Sequence, residues 1–170
     1  MYCLTGPQEK IFQVTFARKK HQILLEQLQA LNTELRLRTV PQREFIFSTI
    51  FGDYFSGRLR TFDLDTRDLP MVAAGTEFQR RVWERMRAIP YGSTMTYGEL
   101  ARLSGSAGGA RPVGMACGAN PLSLIIPCHR VVAENGLGGF AGGIAVKKKL
   151  LELEQREYRT AVQRAGIKSG

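Results

Sequence analysis

The sequence predicts a chain of α+β and then mostly α character: a small N-terminal α/β domain followed by a mostly helical domain with a helix-turn-helix outline. Three observations predict it. Residues 11–17, IFQVTFA, alternate as a strand does before helical spacing takes over. Residues 58–75, RLRTFDLDTRDLPMVAAG, are rich in turn residues and weak in period, as a connection is. Beyond them, two S/T-x-x-E/Q capping signatures and a glycine-rich break mark off short helices in quick succession. The length, 170 residues, suits one domain or two small ones. The boundary is read in that connection, with residues 1–70 as the N-terminal domain, 71–75 as linker, 76–160 as the helical domain and 161–170 as a flexible tail.

In chain order, Phe12, Val14 and Phe16 share one face of the first strand. Leu24, Leu28, Leu31 and Leu35 then fall at amphipathic helical spacing, although ILLEQ (23–27) also reads as a second short strand. Pro41 opens the next helix, where its missing N–H does no harm. Phe45, Ile46, Ile50, Phe51, Tyr54 and Phe55 give that helix a wide apolar face, and Gly57 ends it. Thr76 caps another helix with Gln79 answering; Phe78, Val82, Trp83, Met86 and Ile89 face inward, and Arg80, Arg81, Arg85 and Arg87 outward. Pro90 stops it, and Tyr91-Gly92-Ser93 turns.

Thr96 and Glu99 form the second capping pair, opening a helix through Leu103 that Gly105 breaks. SAGGARPVGMACGAN (106–120) is the next short helix, and Pro112 is acceptable only in its first turn. Its Ala and Gly residues lack the reach a major-groove reader needs. A smooth helix of this kind either lets the backbone approach a narrow groove or packs tightly into a core, and the stretch leaves both open. A glycine-rich loop, AENGLGGFAGGIAV, leads to the final helix, VKKKLLELEQREY, with Leu150, Leu151 and Leu153 inward and Glu154 near its middle. RTAVQRAGIKSG is expected to fray.

Composition narrows the function classes. No apolar run approaches the 18 or so residues of a membrane span, and the first residues lack the layout of a secretion signal. Cys3, Cys117 and Cys128 cannot all pair and show no CxxC spacing, so neither a disulfide framework nor a zinc knuckle is indicated, and a reducing compartment is expected. Residues 1–75 carry 10 basic and 8 acidic side chains, and residues 76–170 carry 14 and 7, so +7 of the net +9 lies in the second part. That asymmetry favours a polyanionic partner, nucleic acid before membrane.

The chemistry centres on IIPCHRVV (125–132). One of only two histidines adjoins Cys128, Pro127 interrupts the apolar run, and Arg130 adds positive charge. A thiol becomes nucleophilic as thiolate, which a base such as His129 can generate. Adjacent side chains diverge on strands and helices alike, so a Cys128–His129 relay needs a turn or a bridging water. A third group should orient the histidine, and Glu99 and Glu154 are both available. Without more context a small buried core cysteine remains an equal reading. Cys3 and Cys117 read as packing residues.

The stretches FGDYFSGRL (51–59), GTEFQRRVW (75–83), IPYGSTMTYGELA (89–101), ARPVGMACGANP (110–121), IIPCHRVV and FAGGIAVKKKLLELE (140–154) resemble, in order and spacing, the O6-alkylguanine-DNA alkyltransferases. PCHR inside this frame is highly specific; residues 1–50 carry no clear match. The resemblance implies a ribonuclease-H-like first domain with an antiparallel sheet, which a hairpin over 11–27 would fit, and a winged helix-turn-helix second domain. It implies DNA repair by single-turnover, methylated-DNA–protein-cysteine methyltransferase chemistry on O6-alkylguanine, with O4-alkylthymine a further candidate.

By that resemblance Cys128 is the acceptor, His129 its base through a water, Glu154 the orienting acid, Asn120 the hinge and Tyr97 the donor to guanine N3. Arg111 enters the duplex as the target base is flipped from the minor groove, with Ala110, Gly114, Ala119 and Arg130 also on DNA. Pro127, Val131, Phe140 and Ala141 form the alkylbase pocket. No metal or cofactor enters the chemical step; a structural metal in the first domain stays open. The partner is double-stranded DNA, no membrane is involved, a monomer suffices, and the cytoplasm (at the nucleoid, or the nucleus of a eukaryote) is the expected location.

Phe140 stands where the family usually has tyrosine, which implies weakened activity or altered substrate tolerance. Pro112 replaces a usual alanine and is harmless if its helix starts at residue 110 or 111. Two other functions compete: a non-catalytic lesion-binding or regulatory helix-turn-helix protein, which would not need Cys128, and a Cys-His thiol hydrolase, which would leave the basic second part unexplained.

Overall fold

Local signals account for most of the element boundaries. The computed structural model describes residues 2–5, 11–15, 22, 26, 48–62 and 70–164. Strand β2, Ile11–Thr15, lies where alternation places it. Its antiparallel partner is β1, Tyr2–Thr5, with Tyr2 opposite Thr15. A hairpin thus joins the start of the chain to β2; most of the expected hairpin over 11–27 lies outside the described residues. Glu26, the one described residue of ILLEQ, is helical. The expected helix through Leu24–Leu35 and the start of the next at Pro41 lie outside the described residues.

Helix α1 is described over Ser48–Phe55. It buries Phe51 and Tyr54, three residues apart on one face. Gly57 closes it at φ 74°, and a Cβ there would lie 2.6 Å from the Glu157 side chain. Within the expected connection Pro70–Ala73 form a single helical turn, α2, with Val72 buried. Proline at the first helical position is already set for the helix, and Val72 gains the core.

Helix α3, Glu77–Arg87, starts on its capping box: Gln79 N–H donates to Thr76 Oγ1 at 3.2 Å and Thr76 N–H to Gln79 Oε1 at 2.9 Å. Val82, Trp83 and Met86 are buried, and Phe78 is only half-buried. Strand β3, Met95–Thr96, runs into α4, Tyr97–Leu103, through the second capping box. Each such cap contributes on the order of 1 kcal/mol. Helix α5, Ala110–Ala119, follows Gly105 and Gly109, both at positive φ. Pro112 is its third residue, inside the turn whose N–H groups have no partner anyway.

Helix α5 packs into the core on one side and is exposed on the other. Val113, Ala116 and Cys117 are buried against α3 and α4, and Trp83 Nε1 donates to Ala116 O at 2.9 Å. Ala110, Arg111, Met115 and Gly118 are exposed. Strand β4, Val131–Val132, pairs parallel with β3. Helix α6, Ile144–Arg164, runs four residues past the expected tail boundary, because no glycine or proline interrupts it before Gly166.

The two parts meet at Val14. Its N–H donates to Pro121 O at 2.8 Å and its carbonyl accepts from Ser123 N at 2.7 Å, which ties β2 to the segment after α5. One contiguous apolar cluster runs from Val14, Phe51 and Tyr54 to Leu150. Among the described residues no helix is long and apolar enough to cross a membrane.

Candidate active site

Asn120, buried at the end of α5, builds the approach to Cys128. Its Nδ2 donates to Ile126 O at 2.8 Å and its Oδ1 accepts from Leu122 N at 2.9 Å. The bridged loop is tight enough that Leu124 takes φ 75°, unusual for a residue with a Cβ. Pro127 follows, and Cys128–Arg130 form a single 3-10 turn. Side chains on such a turn diverge by about 120°. Cys128 therefore faces one way and His129 another, as the divergence argument requires.

Cys128 lines a cavity of about 180 Å³ with Tyr97, Gly114, Cys117, Gly118, Gly139, Phe140 and Ala141. Burial, helped by the nearby thiols of Cys117 and Cys128, pushes the Tyr97 phenol up to about 12, so it stays a donor. Its hydroxyl donates to Gly139 O at 3.3 Å. Gly138, at φ 67°, passes under the Tyr97 ring where a Cβ would lie 2.7 Å from it. Cys117 is held as a thiol, raised to about 12 by burial and then by Cys128, and its Sγ lies 3.5 Å from Met86 Sδ. It is a packing residue that also forms cavity wall.

His129 turns inward and is fully buried. Its Nε2 is 2.9 Å from Glu154 Oε1. Burial pushes the Glu154 carboxyl up, but hydrogen bonds and charge from His129 and Arg130 outweigh it and hold it at about 2. An ionised carboxylate only accepts, so Nε2 carries the hydrogen. Burial lowers the His129 pKa more than Glu154 raises it, which keeps the ring neutral. The lone pair then sits on Nδ1, a buried atom that meets no hydrogen-bonding partner among the described residues.

Arg130 departs from the expected DNA contact. It is buried, with Nη2 2.9 Å from Glu154 Oε1, Nε 3.0 Å from Oε2 and Nη1 donating to Ile89 O at 2.7 Å. Its guanidinium also lies 5.6 Å from the Tyr91 ring centre. A carboxylate taken out of water needs such compensation, and Arg130 is committed to it. Gly92 N–H completes the set, donating to Glu154 Oε2 at 3.1 Å. Glu99, the other acid considered, is spent on the Thr96 cap.

Pro127 and Val131 also depart from expectation, because both lie off the cavity. Pro127 lines a separate cleft with Arg60 and Arg87, and Val131 is fully buried in the β3–β4 pair. They flank the 3-10 turn, and its rotation takes them away from the face of Cys128. Ala110 and Arg111 lie exposed in the first turn of α5, Gly114 faces the cavity and Ala119 is half-buried.

Two residues escaped sequence reasoning. Lys147, the first of three consecutive lysines, is buried. Its Nζ donates to Val131 O and to Gly139 O, the latter at 3.1 Å, and lies 5.9 Å from the Tyr97 ring centre. It thus pins the glycine loop to the active-site turn. Its spacing from Leu150, Leu151 and Glu154 (i, i+3, i+4, i+7) is the signal that it shares their buried face. Tyr54, read only as part of an apolar face, donates its hydroxyl to Glu154 Oε1 at 2.7 Å.

Residues 77–156 match the family model for the DNA-binding domain of 6-O-methylguanine DNA methyltransferase. A methylated-DNA–protein-cysteine methyltransferase of Methanosarcina acetivorans is 38% identical over 152 residues, 89% of each chain. One from Mycolicibacterium paratuberculosis is 49% identical over 106 residues, 62% of this chain and 61% of that relative's length. A crystal structure of Mycobacterium tuberculosis OGT in complex with DNA superposes with a TM-score of 0.58 at 48% identity, covering 63% of this chain and 64% of that one. The O6-methylguanine-DNA methyltransferase of Pyrococcus kodakaraensis superposes with a TM-score of 0.65 at 28% identity, over 89% and 88%. With near-full-length similarity to the Methanosarcina relative, this chain belongs to the methylated-DNA–protein-cysteine methyltransferase family.

Proposed function

We propose that this protein repairs O6-alkylguanine in double-stranded DNA by moving the alkyl group, once and irreversibly, onto Cys128. The observation that carries this is the split geometry of the 128–130 turn. Cys128 borders the cavity under α5, while the neutral His129 behind it is oriented by Glu154 and keeps an unpartnered Nδ1. In this reading a water passes the thiol proton to Nδ1, and the resulting imidazolium is stabilised by Glu154. Thiolate sulfur attacks the alkyl carbon in line, the S–C bond forms and the C–O6 bond breaks. The guanine leaves with the electron pair, and the Tyr97 hydroxyl, donating to N3, disperses its charge. S-alkylcysteine cannot regenerate a thiolate, so each molecule acts once.

A stacked guanine keeps its O6 away from a thiol at the bottom of a cavity, so the base is flipped out. The exposed side of α5 suits the minor groove: its small residues permit close approach, and Arg111 in its first turn is placed to fill the vacated stack. Phe140 supplies an apolar wall for the base without a hydroxyl. We read the first part as ribonuclease-H-like and the helical part as a winged helix-turn-helix. The protein acts as a monomer in the cytoplasm, on chromosomal DNA.

The test is to incubate the protein with duplex DNA carrying O6-methylguanine and measure its intact mass and peptide map. One methyl group on Cys128 per repaired lesion is expected. Repair over many turnovers with unmodified protein, or tight binding without transfer, overturns the proposal.

A further inference from the structure

A residue from the N-terminal part of the chain reaches the proton relay. Tyr54 lies on α1, 75 residues before His129 and 100 before Glu154, and is fully buried. Its hydroxyl donates to Glu154 Oε1 at 2.7 Å, and the same oxygen lies 3.3 Å from His129 Nε2. The ring is fixed from several sides, with Phe55 5.3 Å, Phe62 5.6 Å and Tyr91 6.0 Å away, centre to centre. We propose that Tyr54 is a positioning residue for alkyl transfer: through Glu154 and Nε2 it holds the His129 ring in the tautomer that turns Nδ1 toward the thiol side. This rests on the transfer reading above and extends it to the part of the chain outside the matched DNA-binding domain.

The physical argument is one of competition and alignment. Glu154 Oε1 accepts from Tyr54, His129 and Arg130 together. With Tyr54 O–H committed to the carboxylate, its oxygen is left to face the Nε2–H. That hydrogen sits between two acceptors on one side of the ring, and rotation of the imidazole loses both. The tyrosine is also a brake on basicity. By donating to the carboxylate it lessens the pull of Glu154 on the His129 proton. Burial, with the adjacent Glu154 charge, pushes the Tyr54 phenol far up, so it remains a donor at any relevant pH. The other ionisable groups facing this pair are Arg130, Lys147 and Tyr91.

Tyr54→Phe keeps the ring and removes only the hydroxyl. The single-turnover rate on O6-methylguanine duplex should fall about tenfold, part of the roughly 10²–10⁴ that positioned proton transfer contributes. The acidic limb of its pH profile should move to higher pH, because Glu154 with one donor fewer holds the imidazolium proton more firmly. Phe62→Leu disturbs the same ring packing without touching Glu154; it should lower Tm and leave the limb in place. Imidazole ¹⁵N spectra, simple in a chain with two histidines, should show one Nε2–H tautomer for His129 that becomes mixed in Tyr54→Phe. Wild-type protein that fails to transfer sinks the transfer reading itself. Wild-type transfer with an unchanged Tyr54→Phe profile and tautomer overturns the role of Tyr54 alone, as does an equal limb shift in Phe62→Leu.

Discussion

The two sides of the Cys128–Arg130 turn are built from opposite materials. On the cavity side stand a thiol, two aromatic rings, a second cysteine and small residues, with no ionised side chain among the lining. On the inner side Tyr54, His129, Arg130 and Glu154 make a dense polar network that is sealed from solvent. The contrast shows how a short turn divides labour. In the proposed reading the Cys128 thiol meets an apolar surface suited to an alkylated base, and the charges that would govern its proton are kept one residue away, where low polarity strengthens them. Arg130 belongs to the second side, with its guanidinium committed to Glu154 and Ile89 O.

The comparison can be broken most severely at the thiol. Cys128→Ala should abolish transfer completely while duplex binding persists, as read by intact mass and by fluorescence anisotropy; residual methylation at another residue would contradict the division. The next largest effect is expected at Glu154. Glu154→Gln strands the Arg130 charge in a buried site, which should cost about 3–5 kcal/mol in denaturant unfolding as well as transfer. An unfolding midpoint close to wild type would mean the inner side is wetter than its geometry implies.

Acid provides a reagent-free version of the same test. His129 is held below its ordinary 6.5 by burial, so the unfolded chain binds its proton first and stability starts to fall as pH drops through 6.5. Glu154 is held at about 2 against an ordinary 4.5, so its contribution is complete above 4.5 and is lost progressively down to 2. Both act in one direction, and thermal melts from pH 7 downward should show a continuous decline. A stability maximum below pH 5 would contradict the sign.

Smaller effects test the outer side. Arg111→Ala should weaken duplex binding and reduce the slope of log affinity against log salt by about 1 if the side chain displaces one phosphate counterion, measured by titration at several ionic strengths. Phe140→Tyr should change the transfer rate least, by a few-fold at most, because it restores a hydroxyl on a wall that is already in place; a loss of transfer would mean the cavity is filled to contact at that ring.

Much of the fold was legible because its signals are local. A threonine and its partner three residues later set the starts of α3 and α4, Gly57 and Gly105 set ends, and Pro112 fits once α5 begins at Ala110. The misreadings share a different origin. Nothing near Pro127 or Val131 shows which way a 3-10 turn rotates them, and the start of the chain carried no sign that it would pair with β2. Pro70, inside the expected connection, starts a single helical turn that weak periodicity did not signal.

Local sequence set the starts of α3 and α4 and the ends at Gly57 and Gly105, put the charge excess in the second part, and placed one cysteine beside one of two histidines. Those properties depend on neighbours within a few positions. Long-range packing was needed to bring Arg130 against Glu154, to bury Lys147 beneath the glycine loop, and to set Tyr54 on a carboxylate 100 residues away. A buried charge or hydroxyl is defined by the partner that compensates for its lost water, and that partner comes from whichever part of the chain the packed core brings next to it.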